Sequence, residues 1–366
     1  GILHSFPTRR SSDLLARLWQ RLRGTAGTIG AAAMAVAICT GGVIYYNMNI
    51  LNEYITQDEG EKLQADAERE LLKFAKQPQP RITGVKLDVA LYPSETRAVT
   101  NGEYVIENRT QGSLGEVHIN LSDELEIRKL EIEGASLQKT YEKFAYRIYR
   151  FDQPMALGEK RKVRFTTVLE QKGFKNSANN TSILHNGTFL NNITVSPMLG
   201  THRSNFLSNP VVRRRQDLPA ELRMPTLEDE SAGYNSYLRP DSDWVDSDIT
   251  VSTDADQTPI APGYVVSDVT KDGRRTVHFR SDTPIQNFYS IQSARYAVKG
   301  DRWNDIDLKV YYHPGHPFNV DLMLKVMKES MEVFEREFGP YQFRQARMIE
   351  FPAIATFAQS FANTIA

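Results

Sequence analysis

The sequence predicts a mainly β protein with one apolar helix near its N-terminus and a short α/β segment at its C-terminal end. The first observation is a series of short alternating strands between Ile82 and about Leu207, which is typical of an antiparallel sandwich or saddle. The second is a charge-free run from Thr25 to Tyr46, and the third is a strand, turn and helix that begin at Ile306. The net charge of -1 argues against a nucleic-acid-binding protein, which would carry a basic excess.

Residues 1–14 look foreign to the protein. The stretch from His4 to Leu14 reads His-Ser-Phe-Pro-Thr-Arg-Arg-Ser-Ser-Asp-Leu, which resembles the translation of a sequencing-adapter oligonucleotide. We therefore leave residues 1–14 out of fold reasoning as an adapter-derived artefact. Residues 15–24 form a basic segment that contains Arg17, Arg21 and Arg23.

The run at residues 25–46 is predicted to be a transmembrane helix. About 22 residues at the helical rise span roughly 33 Å, which is enough to cross the hydrocarbon core of a bilayer. Arginines precede the run, and the acidic segment Glu53–Glu61 follows it. The positive-inside rule then places the N-terminus in the cytoplasm and the large C-terminal part outside. A signal peptide is the alternative, and we favour a retained span because the run is long and lacks a clear cleavage site.

Cysteine usage and nucleophile motifs exclude several kinds of site. Cys39 is the only cysteine, which excludes an intrachain disulfide and a Cys-based zinc site. It lies in the apolar run, where we expect a small buried hydrophobe. The sequence contains no Gly-x-Ser-x-Gly elbow and no phosphate-binding Gly-Lys-Ser/Thr loop, so neither that hydrolase chemistry nor ATP binding is expected.

Residues 47–80 are predicted to form a stalk helix and a linker. Thr56 and Glu59 fit a capping box at its start, and Pro78 and Pro80 end it. One face of this helix is apolar and the other is heavily charged, which fits a solvated stalk or a helix docked on the next domain. The apolar residues are Leu63, Ala67, Leu71 and Phe74.

Residues 81–305 are predicted to form the β domain. Glycines that include those at Asn101-Gly102, Gly134 and Gly158 are interpreted as breaks between its strands. Residues 212–240 are interpreted as a surface excursion, rich in charge and proline. The Arg213–Arg215 run is expected to be solvated, and contact with an acidic partner is the alternative.

The C-terminal segment opens with an alternating strand at Ile306–Tyr312. The sequence His-Pro-Gly-His-Pro follows, and Asn319 is expected to cap a helix that Gly339 ends. The residues expected on its apolar face are Met323, Met327, Met331, Phe334 and Phe338.

Several short motifs in this segment carry a family resemblance. Tyr311-Tyr312, Phe338-Gly339-Pro340-Tyr341 and Glu350-Phe351-Pro352 resemble the entry to the catalytic domain of zinc aminopeptidases of the membrane alanyl aminopeptidase type. The stretches 311–317 and 357–361 are similar, more narrowly, to bacterial membrane proteins in which an ABC-transporter permease precedes such a peptidase-like region. The resemblance implies that residues 81–305 are the family's N-terminal β domain. It also implies that residues 306–366 begin a thermolysin-like catalytic domain that is truncated before its zinc-binding motif.

The family's zinc site would be His-Glu-x-x-His on one helix with a Glu on a later helix. None of the seven His residues of this chain begins that motif. We therefore expect no catalytic, cofactor-binding or metal-binding residue and no peptidase activity in this chain alone. The resemblance implies zinc only for the full-length protein.

Two smaller features contain residue types that could form a site. His313 and His316 form the one close His pair; Pro314 and Pro317 exclude a helix there and no acidic residue lies between them. We therefore expect a turn, with a shared metal as the alternative. Glu350 would either line a substrate cleft or be paired at a strand edge, and we do not assign it a catalytic role.

The resemblance implies a fragment of a bacterial inner-membrane protein whose N-terminus is cytoplasmic and whose C-terminal region is periplasmic. The implied partners are the membrane, an ABC-transporter ATPase subunit and a peptide substrate. The rival hypothesis is a non-catalytic, extracytoplasmic module of a transporter that binds a peptide or protein. A reading frame that continues past Ala366 into His-Glu-x-x-His would favour the first hypothesis.

Overall fold

The computed structural model describes residues 16, 19–20, 23–176, 181–202, 206–220, 226, 228–230, 238–352, 354 and 358–366. The adapter-like segment 1–14 lies outside the described residues. The chain divides into two compact units, residues 1–55 with 172–179 and residues 56–171 with 180–366. The helices in chain order are α1 (Thr25–Tyr45), α2 (Gln57–Leu71), α3 (Pro210–Arg215) and α4 (Val320–Phe338).

Strands make up most of the second unit, as the sequence predicts. In chain order they are β1 (Arg81–Tyr92), β2 (Arg97–Glu107), β3 (Leu114–Asn120), β4 (Leu125–Ile132), β5 (Ala135–Tyr141), β6 (Tyr146–Met155), β7 (Lys160–Glu170), β8 (Ile183–Leu184), β9 (Gly187–Asn191), β10 (Met198–Leu199), β11 (Ser242–Asp254), β12 (Thr258–Ile260), β13 (Tyr264–Lys271), β14 (Arg274–Arg280), β15 (Ile285–Gln286), β16 (Ser290–Ala294), β17 (Ala297–Trp303), β18 (Ile306–Tyr312), β19 (Gln345–Ile349), β20 (Ser360–Phe361) and β21 (Thr364–Ile365).

The first unit is built around α1. A π-helical turn, Tyr46–Leu51, continues α1, and together they form one helix of 27 residues that is long and apolar enough to cross a membrane. Only 6% of its most apolar window is buried, so α1 is not a core helix, whereas a membrane span and a signal sequence both fit. Cys39 is exposed, and its predicted burial is wrong because no other part of the described chain covers the helix at this residue.

The stalk helix α2 begins as the sequence predicts. The Thr56 backbone N–H donates to Glu59 Oε2 (2.8 Å), and the Glu59 N–H donates to Thr56 Oγ1 (3.3 Å). These reciprocal bonds form a capping box that satisfies two of the free donors at the helix start. The α-helix ends at Leu71, followed by a short 3₁₀ turn, so it stops before the prolines expected to end it.

One residue of the charged face of α2 is buried. Glu68 accepts two hydrogen bonds from Arg213 of α3, at 2.7 and 2.8 Å, and both side chains are only 2% exposed. The solvated interpretation of Arg213 is therefore wrong. Its neighbours in sequence, Arg214 and Arg215, remain exposed. The charge of Arg213 is tolerated inside because it pairs bidentately with a carboxylate.

The largest sheet has the order β13-β14-β11-β1-β2-β7-β4, with β15 paired to β11. The predicted all-antiparallel arrangement is wrong at its centre, because β1 and β11 pair in parallel. Parallel neighbours need a long crossover connection. Here that connection contains β2 to β10, which include the whole second sheet, β10-β3-β6-β5, and the strands β8 and β9 of the third sheet, β12-β16-β9-β8.

Asn101-Gly102 does not break a strand, contrary to the sequence interpretation. Both residues lie inside β2, where Gly102 faces Phe165 of β7. A Cβ atom at Gly102 would lie 2.1 Å from the Phe165 ring, so the ring packs over this position because glycine has no side chain. Gly134 and Gly158 do lie in turns, with φ angles of 64° and 75°.

A buried ion pair lies where β11 begins. Arg239 donates to both carboxylate oxygens of Asp241, at 2.8 and 2.7 Å. Asp241 also accepts the Leu199 N–H on its carboxylate (2.9 Å) and the Ile82 N–H on its backbone carbonyl (2.9 Å). Burial raises the pKa of the Asp241 carboxyl, but the Arg239 guanidinium outweighs it and holds the pKa below its ordinary value. The pair joins the starts of β1 and β11 to the end of β10.

The fourth sheet has the order β17-β18-β19-β21-β20. β18 and β19 are parallel and are connected through α4. α4 buries Val320, Leu324 and Met327 against the sheet, and Met331 is partly covered.

Two features of α4 differ from the prediction. Asn319 precedes the helix in a left-handed conformation (φ 61°) and its side chain accepts no capping bond, so its predicted capping role is wrong. Of the five residues predicted for the apolar face, Met327 is buried and Met331 is partly buried, whereas Met323, Phe334 and Phe338 are 36%, 57% and 82% exposed. The face that packs on the sheet consists instead of Val320, Leu324 and Met327. Gly339 has the expected positive φ (94°).

The buried ion pair generates a stability prediction. Asp241→Ala should lower the free energy of unfolding by about 3–5 kcal/mol, because Arg239 would stay buried without its counter-charge. This contribution is present above the ordinary carboxyl pKa of about 4 and is lost as the pH falls through the lower folded-state pKa. Denaturant unfolding of the full chain in detergent measures it. Asp268→Ala, which breaks a partly exposed pair with Arg275, is the control and should cost about 1 kcal/mol or less; equal losses would contradict the prediction.

The partial burial of α4 generates a second prediction. Leu324→Ala should destabilise the fourth sheet by about 2–5 kcal/mol, because it leaves a cavity in a buried cluster. Phe334→Ala, on the same helix but exposed, should change the stability by about 0.5 kcal/mol or less. Hydrogen exchange of peptides from β18 and α4 would show the difference. A comparable effect of both variants would mean that Phe334 is packed in solution.

Candidate functional site

The carboxyl ends of β18 and β19 meet at one edge of the fourth sheet. These strands are parallel, and Tyr311 lies opposite Ile349. The chain leaves β18 into His313 and leaves β19 into Glu350. In open α/β sheets, ligands bind outside the carboxyl ends of parallel strands. This edge is therefore the candidate site.

Residues 313–317 form a tight turn at this edge. The His316 N–H donates to the His313 carbonyl oxygen (2.7 Å), and the Gly315 N–H donates to His313 Nδ1 (3.1 Å). The two imidazole rings lie 4.9 Å apart, centroid to centroid. This is the turn expected between strand and helix.

Glu350 fastens that turn to the sheet. Its Oε2 accepts the His313 backbone N–H (2.7 Å), and its Oε1 lies 2.5 Å from His316 Nδ1. The Glu350 N–H donates to the Tyr311 carbonyl oxygen (2.9 Å). Of the two roles that the sequence left open, the structure shows the paired carboxylate at a strand edge. It forms a polar clamp across the ends of β18 and β19.

Aromatic side chains form the floor below the clamp. The Phe351 ring lies 5.2 Å from Phe189, and the Phe361 ring lies 5.2 Å from Phe288. Tyr296 packs edge-on against Tyr311, and its burial, with a smaller contribution from the charge of Glu350, raises the pKa of the Tyr296 hydroxyl. The edge therefore combines a charged rim with an apolar base.

Arg347 is a buried cation that the sequence did not single out. It is 4% exposed, and it donates to Thr364 Oγ1 (3.1 Å), Asn363 Oδ1 (2.8 Å) and the Ala261 carbonyl oxygen (2.9 Å). Burial lowers the pKa of the guanidinium to about 10. These bonds join β19 to the β20–β21 hairpin and to the chain after β12. An arginine between two apolar residues gives no local sequence signal for this role.

The C-terminal hairpin β20–β21 closes the same sheet. Gln359 and Ala366 exchange two backbone hydrogen bonds, of 2.7 and 2.9 Å, and Asn363 turns the hairpin with a φ of 53°. β20 is an edge strand of the sheet. Of the motif at 357–361, Phe357 lies outside the described residues and Ser360 and Phe361 form β20.

The donors at this edge do not form a three-ligand zinc site. His316 Nδ1 and both Glu350 oxygens are engaged with each other and with the turn, and His313 Nδ1 accepts the Gly315 N–H. Within the described ranges, no group of three or more His, Cys, Asp or Glu residues is arranged to hold a metal ion. The arrangement can orient a turn and present a polar rim, and we derive no metal-dependent step from it.

A separate cavity of about 310 Å³ lies between α2 and the loops of the second sheet. Its lining is largely apolar, with Asp123 and Lys143 as its charged members. The other lining residues are Leu63, Gln64, Ala67, Leu71, Leu121, Ser122, Phe144, Ile193, Thr194 and Met198. This lining contains neither His nor Cys.

The fold is similar to that of M1 zinc metallopeptidases. A crystal structure of the M1 zinc metallopeptidase from Deinococcus radiodurans aligns with a TM-score of 0.54 and 12% identity, over 79% of this chain and 60% of that one. A mutant of that enzyme bound to a Tyr-Ser-Ala substrate aligns with a TM-score of 0.53 and 11% identity, over 80% and 61%. A two-domain M1 zinc metallopeptidase mutant bound to L-arginine aligns with a TM-score of 0.53 and 13% identity.

These similarities concern the fold alone, because the identities are low. The chain spans 60–61% of the length of these structures. No protein-family model and no curated protein sequence matches it.

The Glu350 clamp generates a local prediction. Glu350→Ala should release the His313–Pro317 turn and cost about 1 kcal/mol, because a partly exposed pair of hydrogen bonds is lost. Hydrogen exchange in peptides covering residues 311–317 should become faster, while exchange in β1 stays unchanged. Glu329→Ala, whose carboxylate pairs only with exposed Lys325, is the control. Unchanged exchange at 311–317 would show that the clamp does not hold the turn.

Proposed function

We propose that this chain is part of a membrane-anchored, zinc-aminopeptidase-like protein, and that the zinc site lies in sequence this chain does not contain. The carrying observation is the M1 metallopeptidase fold, which aligns over 80% of this chain and 61% of a solved M1 enzyme. In this proposal, residues 81–305 are the N-terminal β domain and residues 306–366 begin a thermolysin-like catalytic domain. The solved relatives are zinc metallopeptidases, which supports zinc as the cofactor of the complete protein.

The proposal also covers location and partners. α1 and its π-helical extension would anchor the protein in the bacterial inner membrane, with the N-terminus in the cytoplasm and the β domain in the periplasm. The charge asymmetry around residues 25–46 supports this orientation. The motifs at 311–317 and 357–361 support an association with an ABC-transporter permease and its ATPase subunit. A peptide is the proposed substrate, since one solved M1 relative holds Tyr-Ser-Ala.

In this proposal the residues of this chain position substrate and do not activate water. The Glu350 clamp fixes the ends of β18 and β19, and the aromatic floor with Phe351 and Phe361 excludes water beneath them. Arg347 holds the β20–β21 edge in register with β19. A rigid edge of this kind can carry an extended peptide, because an edge strand offers unpaired backbone groups.

The second candidate is a non-catalytic module that binds an extended peptide or protein for a transporter. One observation favours it: β13 is a long edge strand of the largest sheet. Its side chains Val265, Val266 and Val269 are 60%, 59% and 56% exposed. An exposed, apolar edge strand is a template for strand addition.

The test compares this chain with the longest product of its gene. The chain alone, purified in detergent, should bind no stoichiometric zinc and release no amine from aminoacyl-amide substrates. A longer product that carries His-Glu-x-x-His should bind zinc stoichiometrically and hydrolyse such substrates; metal analysis and a fluorogenic assay measure both.

Two results would contradict the proposal. Tight stoichiometric zinc in the chain alone, abolished by His313→Ala or His316→Ala, would make the His pair a metal site. A longer product that lacks the zinc motif but binds extended peptides would favour the non-catalytic module.

A further inference from the structure

The loop at residues 172–176, between β7 and β8, is fastened to the end of the apolar helix. The Asn52 side-chain amide donates to the carbonyl oxygens of Lys172 (2.8 Å) and Phe174 (3.3 Å), and to that of Asn47 (2.9 Å). The Asn176 amide donates to the Ile55 carbonyl oxygen (2.6 Å). These bonds join segments that are far apart in the chain, since Asn52 and Lys172 are separated by 120 residues in sequence.

Gly173 shows that this contact is close. It has a φ of 59°, and a Cβ atom there would lie 2.0 Å from Asn47 Oδ1. Both the positive φ and the lack of space favour glycine. The loop therefore approaches the π-helical turn closely, and any larger residue at this position would have to displace the Asn47 side chain.

The length of the helix sets the depth of the loop. The 27 residues from Thr25 to Leu51 span roughly 40 Å, about 10 Å more than the hydrocarbon core of a bilayer. Tyr45, Tyr46 and Tyr54 are exposed near the C-terminal end of this helix, and exposed tyrosines are typical of the headgroup layer. If α1 spans the membrane, residues 45–54 and the attached loop lie at the level of the lipid headgroups.

The loop brings positive charge to this level. Thr25–Asn52 contains no charged residue, and the charged residues of the segments 53–55 and 172–176 that adjoin it are Glu53, Lys172 and Lys175. We propose that residues 172–176, with Tyr45, Tyr46 and Tyr54, form a surface that binds the phosphate groups of anionic lipids. The inference rests on the proposed membrane anchor. Each lysine near an anionic surface strengthens binding about fivefold.

The test uses the full chain reconstituted in nanodiscs of phosphatidylcholine with a minority of phosphatidylglycerol. The lipid retained by the protein after mild delipidation is quantified by mass spectrometry, as the ratio of phosphatidylglycerol to phosphatidylcholine. Wild type should be enriched in phosphatidylglycerol, and K172Q/K175Q should lose most of that enrichment, about fivefold for each lysine. K172R/K175R should retain it, which separates loss of charge from misfolding.

The controls distinguish lipid phosphate from free phosphate. They also distinguish failure of the proposed lipid-binding surface from failure of the membrane anchor. K139Q/K325Q, at exposed lysines of β5 and α4, should behave like wild type, and added inorganic phosphate should not displace the lipid. Equal enrichment in wild type and K172Q/K175Q, or displacement by inorganic phosphate, would overturn the lipid surface while leaving the anchor intact. A chain that is extracted from membranes by alkaline carbonate would overturn the anchor and this inference together.

Discussion

The parallel pairing of β1 with β11 at the centre of the largest sheet depends on the buried pair of Arg239 and Asp241. Nine strands, β2 to β10, lie between β1 and β11 in the chain, so a short turn cannot specify their pairing. Asp241 supplies the fixed point, because its backbone carbonyl accepts the N–H of Ile82 at the start of β1 and its carboxylate accepts the N–H of Leu199. Arg239 makes that buried carboxylate tolerable by pairing with both oxygens.

The same device fixes the parts that surround the sheets. Glu68 and Arg213 join α2 to α3 in the interior, and Arg347 joins β19 to the C-terminal hairpin and to Ala261. A buried polar group tolerates little displacement, because losing its partner costs more than the bond contributes. Apolar contacts alone would allow these elements to slide. The arginines therefore determine where helices and edge strands lie, while apolar burial supplies most of the driving force.

The candidate site shows how local and distant information combine. The sequence placed a turn at 313–317 and left Glu350 open between a cleft and a pair. The parallel strands then brought the turn and Glu350 together across 34 residues of chain. The fold that contains this edge is similar to that of M1 zinc metallopeptidases over 80% of the chain. The sequence around Glu350 does not indicate that its partners are His313 and His316, because the contact forms only after α4 folds back and β19 pairs with β18.

The sequence by itself determined the elements whose cause is local. The apolar helix near Thr25, the capping box at Thr56, the alternating strands and the positive φ of Gly339 follow from periodicity and from the few residues around each feature. Tertiary structure decided what each surface contacts: it buried Arg213, kept Asn101-Gly102 inside a strand beneath Phe165, and left Phe334 of α4 in solvent. Burial depends on partners far away in sequence, and a local pattern shows that a face is apolar without showing what covers it.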